Sequence, residues 1–256
     1  MKENLRDDLK MYLITDSDIL KGRDFYKCIE DGLKAGVTML QLREKNADGG
    51  EFLEKALKLR ELTKKYNAKF IIDDRIDIAL LCDADGVHVG QSDIDAKSAR
   101  KLIGEDKILG VSARTIEEAK RAKEDGADYI GIGAMFSTST KLDAKSVSFE
   151  TLKEIKDNVD IPFVLIGGIN LGNVEKLKQF NPDGYVIISA ILKEEDIYNN
   201  SEFTGYHKVV SIKDDILVEN SGTKTADTTK QITVEVFYKL GNKVESIKIS
   251  TYISKE

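Results

Sequence analysis

Among its 256 residues the chain has no tryptophan and only two each of proline, cysteine and histidine. Cys28 and Cys82 show no CxxC spacing and have no histidine neighbour, so they read as two buried, unpaired thiols in a reducing, cytoplasmic setting. A basic excess is missing too: 39 Lys and Arg stand against 45 Asp and Glu, a net charge of −6. That balance argues against a nucleic-acid binder, which must neutralise many phosphates, but permits a local basic pocket for a small anion. No apolar run reaches the roughly 18–20 residues a bilayer demands, and Tyr185–Leu192 falls far short. Met1–Lys10 alternates charges without an apolar centre, so neither a membrane role nor a signal peptide is expected. What remains is globular: 41% hydrophobic residues, with abundant Ile, Leu and Val, and 33% charge of mixed sign.

From Lys10 to Leu192 short apolar runs alternate with longer amphipathic stretches. The runs are Met11–Thr15, Val37–Leu42, Lys69–Asp73, Gly86–Val89, Lys107–Val111, Tyr129–Gly133, Pro162–Ile166 and Tyr185–Ser189. Strands apolar on both faces suit a parallel sheet covered on two sides. Between them, Glu51–Tyr66 sets Phe52, Leu53, Ala56, Leu57, Leu59 and Leu62 largely along one side of a helix. Thr115-Ile-Glu-Glu118 predicts a capping box. The turns Lys34–Val37, Cys82–Gly86, Glu124–Asp128 and Asn181–Gly184 resemble one another, as one unit used many times would. Eight strand–helix units in about 190 residues predict an α/β fold, a closed (β/α)8 TIM barrel slightly below the usual roughly 200–250 residues. An open doubly wound sheet would carry a Gly-rich turn after its first strand, and Thr15-Asp-Ser-Asp18 is nothing of the kind.

The barrel is assigned to residues 1–200 and a β-rich C-terminal extension to 201–256. In the extension, Lys208–Ile212, Ile216–Glu219, Gln231–Leu240 and Lys243–Ser254 read as strands, with Gly241-Asn242 as a hairpin turn. Asn220–Lys230 reads as a mobile loop. Some 55 residues is near the lower limit for independent folding, so the extension is expected to pack on the barrel or on another subunit. No activity is inferred for it.

Reactive groups of such a barrel gather where strands end and βα loops begin. The polar residues of this sequence fall there: Gln41-Leu-Arg-Glu-Lys45, Asp73-Asp-Arg75, His88-Val-Gly-Gln-Ser-Asp93, Ser112-Ala-Arg114, Ser137-Thr-Ser-Thr-Lys141, Gly167-Gly-Ile-Asn170 and Ile188-Ser-Ala190. Gln41, Arg43 and Lys45 share one parity and point the same way. Arg43, Lys45 and Lys141 at one mouth suit a polyanion such as a diphosphate. Asp74 and Asp93 suit Mg²⁺, a hard cation that accepts one or two carboxylates plus phosphate oxygens and water. Gly167-Gly168 leads toward a helix expected near Asn170, and Ile188-Ser189 opens another, where backbone N–H groups bind phosphate. Taken singly, each motif has a bland reading: surface ion pairs, an Asp74–Arg75 bridge, a tight turn at Gly167-Gly168. His88, between Val87 and Val89, reads as a hydrogen-bonded core residue rather than a base.

Together, Gln41–Lys45, Asp73-Asp-Arg-Ile-Asp77, Gly86-Val-His-Val-Gly-Gln-Ser-Asp93, Gly110-Val-Ser112, Thr138–Lys141, Ile166-Gly-Gly-Ile169 and Ser189-Ala-Ile191 resemble thiamine-phosphate synthases, with Gly22-Arg23 and Asp128-Tyr-Ile-Gly131 in keeping. The likeness runs from about Tyr12 to Leu192. It implies coupling of 4-amino-2-methyl-5-hydroxymethylpyrimidine diphosphate to a thiazole phosphate, giving thiamine phosphate and pyrophosphate, with Mg²⁺ as cofactor. It also implies residue roles. Arg43, Lys45, Ser112 and Lys141 would carry catalysis. Gln41, Leu42, Arg43, Glu44, Lys45, Asp73, Ser112 and Lys141 would bind the pyrimidine diphosphate. Thr138, Ser139, Thr140, Gly168, Ile188 and Ser189 would bind the thiazole phosphate, and Asp74 and Asp93 the metal. Phosphorylated small molecules are the implied partners, with room for a homo-oligomer.

Three positions depart from the family pattern. Asp73 stands where Asn is usual, Arg114 where His is frequent, and Phe136-Ser137 where Phe-Pro is commoner, which frees one φ angle. The alternatives are a thiazole tautomerase of the same superfamily, needing neither diphosphate nor metal, and a non-catalytic barrel whose tail recruits a partner. Retention of Arg43, Lys45, Asp74, Asp93 and Lys141 speaks against both.

Overall fold

The computed structural model describes residues 4–137, 146–193, 207–213, 229–240 and 243–254. The chain divides into two compact units, residues 1–193 and 194–256. In the first, eight parallel strands close into a barrel in chain order. They are β1 Met11–Ile14, β2 Met39–Leu42, β3 Lys69–Asp73, β4 Gly86–Val89, β5 Ile108–Ala113, β6 Tyr129–Ile132, β7 Phe163–Ile166 and β8 Gly184–Ile187. β8 returns to β1 through Met11↔Tyr185 and Leu13↔Ile187. The α/β barrel read from the hydrophobic period is therefore the observed fold. Boundaries differ by one or two residues where it matters twice: β5 runs on to Ala113, which keeps Ser112 on the strand, and β8 stops before Ser189, which starts a helix.

The helices are α1 Leu5–Asp8, α2 Phe25–Lys34, α3 Gly49–Lys65, α4 Ile76–Leu81, α5 Ala96–Ile103, α6 Ile116–Glu124, α7 Phe149–Asn158, α8 Glu175–Lys178 and α9 Ser189–Leu192. Side-chain caps start the longer ones: Asp24, Asp48, Asp95, Thr115 and Ser148 each accept from a backbone N–H three residues on. The expected capping box is modified. Thr115 accepts from Glu118 N, but the Glu118 carboxylate takes the N–H of Arg114 at 2.6 Å, one residue before the cap. No helix among the described residues is long and apolar enough to cross a membrane.

Two apolar layers result from strand alternation. Side chains such as Leu40, Leu42, Phe70, Ile72 and Ile130 pack outward under the helices. Tyr12, Ile14, Met39, Ile71, Ile108, Tyr129, Val164 and Val186 fill the barrel, and Leu5 and Leu9 from the α1 segment join them at the end where strands begin.

That N-terminal rim is tied by one repeated device, which explains the recurring turns. Thr38, Asp85, Asp128 and Asp183 each stand one residue before an even-numbered strand. Each accepts from a backbone N–H at the start of the preceding strand: Met11 at 3.0 Å, Phe70 at 2.8 Å, Leu109 at 2.8 Å and Phe163 at 2.9 Å. The three carboxylates are also each matched by an arginine, Arg60, Arg100 and Arg6.

The second unit is a three-stranded antiparallel sheet: β9 His207–Lys213, β10 Thr229–Leu240 and β11 Lys243–Ser254, with β10 in the middle. The register pairs Ile232 with Ile212, Val234 with Val210 and Ile249, and Val236 with Ile247. Pairing reaches Leu240↔Lys243, and the expected turn residues Gly241 and Asn242 lie outside the described residues. The expected loop Asn220–Lys230 gives up Thr229 and Lys230 to β10, while its remainder and the expected strand Ile216–Glu219 lie outside the described residues.

Candidate active site

Alternation along β2 divides the Gln41–Lys45 motif into two sets. Gln41 is buried within the barrel, and Arg43 and Lys45 continue on its side to the C-terminal rim. There Lys45 Nζ lies 3.0 Å from Asp73 Oδ2, and Arg43 Nε lies 3.7 Å from the same oxygen. Leu42 and Glu44 have the other parity. Leu42 is buried beneath the helices, and Glu44 accepts from Ser17 Oγ at 2.5 Å and pairs with Lys55 at 3.2 Å. Arg43, Glu44, Lys45, Asp16, Ser17 and Lys55 are among the residues around a cavity of about 230 Å³. A larger one of about 470 Å³ lies by Asn4, Arg60, Lys69 and Asp85, away from these groups, and its lining includes the Arg60–Asp85 and Lys69–Asp8 pairs.

β3 delivers Asp73, and the chain then turns sharply. Asp74 has φ 58°, a left-handed conformation that Asp tolerates, and its N–H bonds to the His88 carbonyl at 2.9 Å. Its carboxyl contacts the Lys45 ammonium and hydrogen-bonds to the Asp93 side chain. Burial, then the charge of Asp73, push the Asp74 carboxyl up to about 6. Lys45 is held above its ordinary value by Asp73 and Asp74, although burial works against its charge. Asp93, in the loop after β4, is fixed by the N–H of Gly90 at 2.8 Å from Oδ2. The expected Asp74–Arg75 bridge does not form: Arg75 turns to Asp77, with Nη2 2.6 Å from its carboxylate.

Ser112 sits on β5 with Oγ 3.0 Å from His88 Nε2. Its carbonyl accepts from Gln91 Nε2 at 2.6 Å, and Arg121 holds the other end of that amide at 2.7 Å. On the far side of the rim, Gly168 follows β7 and Ile188-Ser189 follow β8. Pairing of Ile166 with Val186 puts Gly168 and Ile188 each two residues past the same rung. Gly168 has φ 64°, and a Cβ there would come within 2.5 Å of the Ser137 carbonyl, so glycine is required. The helix expected near Asn170 is instead a turn, capped by Asn170 Oδ1 accepting from Gly172 N, and α8 begins only at Glu175. The other expected start is a single turn, α9, whose Leu192 carbonyl is held by Arg23. Thr138, Ser139, Thr140 and Lys141 lie outside the described residues.

A family model described as thiamine monophosphate synthase matches residues 11–191. The thiamine-phosphate synthase of Clostridioides difficile (strain 630) is 70% identical over 201 residues, which are 78% of this chain and 96% of that protein. The chain belongs to the thiamine-phosphate synthase family. The synthase of Methanobrevibacter smithii is 53% identical, covering 74% of this chain and 90% of its own. A solved thiamine phosphate pyrophosphorylase from Pyrococcus furiosus superimposes with a TM-score of 0.70 at 41% identity, over 76% of this chain and 92% of that one. The family match ends at residue 191, before the second compact unit begins.

Thiamine-phosphate synthases thus frame the acidic pair at the rim. Among the described residues, no group of three or more His, Cys, Asp or Glu side chains is placed to hold a metal. Asp74 and Asp93 are two hard oxygen donors close enough to share a proton, and burial has raised the cost of leaving Asp74 charged. Two such oxygens would suit a hard divalent cation such as Mg²⁺ in place of that proton.

Sequence reading missed two members of the barrel interior, Tyr12 and Tyr129; His88 is hydrogen-bonded as expected, with Tyr129 and Ser112 as the partners that the sequence did not name. Their signal was parity: each falls on the inward register of an apolar run, where a polar side chain needs a partner.

Proposed function

We propose that this chain forms thiamine phosphate in thiamine biosynthesis, by coupling 4-amino-2-methyl-5-hydroxymethylpyrimidine diphosphate to a thiazole phosphate with release of pyrophosphate. The observation that carries the reading is Lys45 set between Asp73 and Asp74 with Arg43 beside them, on the rim that also bears Gln41 and Ser112. The amino-substituted pyrimidine can expel pyrophosphate and leave a resonance-stabilised methylene cation, which the thiazole nitrogen attacks. Neither a nucleophilic side chain nor a strong base is needed. Arg43 and Lys45, with Lys141, would hold the diphosphate and stabilise charge growing on the leaving oxygen. Gln41, Ser112 and Asp73 would orient the pyrimidine, and Leu42 and Glu44, whose side chains point away, would contribute backbone atoms. Asp74 and Asp93 would hold Mg²⁺, which when bound supplies positive charge to the pyrophosphate. Thr138, Ser139, Thr140, Gly168, Ile188 and Ser189 would seat the thiazole phosphate so that its nitrogen faces the methylene carbon.

The test gives the purified protein both substrates, with and without Mg²⁺, and measures thiamine phosphate and pyrophosphate in equal amounts. Turnover that persists in excess chelator would remove the metal from the reading. Isomerisation of a thiazole carboxylate without coupling would replace it with a tautomerase.

A further inference from the structure

Five polar side chains from five strands form one line of hydrogen bonds through the barrel. Gln41 Nε2 donates to Tyr12 Oη at 2.6 Å. Tyr12 Oη and Tyr129 Oη are 2.8 Å apart, Tyr129 Oη lies 3.0 Å from His88 Nδ1, and His88 Nε2 lies 3.0 Å from Ser112 Oγ. Gly110 makes the middle of this line possible, because a Cβ there would fall 2.3 Å from Tyr129 Oη and 2.5 Å from His88 Nδ1.

The direction of the line follows from its first bond. Tyr12 accepts from Gln41, and its own proton then has Tyr129 within reach; any other choice leaves a buried O–H without the acceptor beside it, at a cost. Tyr129 in turn donates to His88 Nδ1, which fixes His88 as the neutral Nε2–H form. That N–H donates to Ser112 Oγ, and the Ser112 proton is left to point out of the line. Both phenols are held protonated by burial in the barrel, so each can accept one bond and donate the next.

We propose that Tyr12, Tyr129 and His88 are positioning residues that set the two ends of the line in opposite senses, Gln41 Oε1 as an acceptor and Ser112 Oγ as a donor. This rests on the substrate assigned above. The 4-amino group and the adjacent ring nitrogen of that pyrimidine present one donor and one acceptor, which the two ends complement. A 4-oxo pyrimidine presents the same edge with the senses reversed, so the line is a specificity device against deaminated substrate. Reversing it requires turning the Gln41 amide, two phenols and the His88 tautomer together.

Two measurements test this. Nitrogen NMR of the free full-length protein is simple to assign, since the chain has only two histidines. His88 is expected with Nε2 protonated and Nδ1 as the acceptor, and Tyr129→Phe should give a mixture of tautomers; His88 protonated on Nδ1 in the wild type overturns the proposal. In kinetics, Tyr129→Phe should raise KM for the pyrimidine diphosphate about tenfold, leave KM for the thiazole phosphate unchanged and narrow rejection of the 4-oxo analogue. In a Ser112→Ala background the same change should have no further effect. Fully additive losses, or equal losses with both pyrimidines, would make Tyr129 a packing residue and refute the positioning role. If the wild type forms no thiamine phosphate, the functional reading fails, and the tautomer experiment still judges the line itself. Should Tyr129→Phe not fold, Tyr12→Phe carries the same expectations from the other phenol.

Discussion

The two rims of the barrel use the same residue types to opposite ends. At the N-terminal rim, Asp85, Asp128 and Asp183 each combine a backbone N–H with an arginine, although Arg60 keeps its buried Nε without a partner. At the C-terminal rim, Asp73 and Asp74 meet Lys45, with Arg43 beside Asp73, and burial, then the charge of Asp73, push the Asp74 carboxyl up to about 6. A carboxylate that is fully satisfied holds strands in register. One whose charged form burial disfavours would gain from a ligand that brings positive charge.

Substitutions at each rim should therefore fail in different ways. The largest effect is expected from Arg43→Ala, a fall in kcat/KM of about 10²–10³-fold with the melting temperature nearly unchanged. Steady-state kinetics beside a thermal melt checks both halves; a fold that collapses instead would erase the contrast. Next comes Asp128→Ala, which strips the buried Arg100 of its carboxylate and Leu109 of its N–H partner. Denaturant titration should show a loss of about 3 kcal/mol, while kcat of the folded fraction stays within about twofold. Asp73→Asn should go the other way. Releasing Lys45 and Arg43 from that carboxylate should lower KM for the pyrimidine diphosphate by about fivefold, in line with about 1 kcal/mol for a partly exposed ion pair. An unchanged or higher KM would mean that the charge of Asp73 does not compete with the diphosphate for these two cations.

How much of this was legible beforehand follows the same division. The strand count, the closed barrel and the polar C-terminal rim could be read because hydrophobic period and strand ends are local properties of the sequence. So could the recurrence of the turns before the even strands, though not its purpose, because Asp85 and Phe70 are brought together only by pairing of β3 with β4. The Tyr12–Tyr129–His88 line was illegible for a stronger reason. β1 and β6 are not neighbours in the sheet, and only closure of the barrel brings their hydroxyls together across its interior. The motif Gln41–Lys45 looked like one unit in sequence and is two in space, since Glu44 belongs with Ser17 and Lys55.

The smallest expected effect lies outside both rims. Glu30 on α2 accepts from Lys65 and Tyr66 on α3, and these bonds hold its carboxyl down at about 2. A lowered folded-state value means the contribution is present above the ordinary carboxylate value and fades as pH falls toward 2. Glu30→Gln should therefore melt slightly lower than wild type at pH 7, with the gap closing by pH 2–3. A gap that widens in acid would reverse the assignment.

The missing methyl at Gly110 has an evolutionary consequence. Alanine there displaces a phenol, loss of the phenol unlocks an imidazole, and an altered imidazole reorients a serine two residues along the strand that carried the first change. Such a set cannot drift one member at a time. Positions 12, 88, 110 and 129 should therefore be inherited as a block, replaced together or kept together, even where the surrounding aliphatic residues exchange freely.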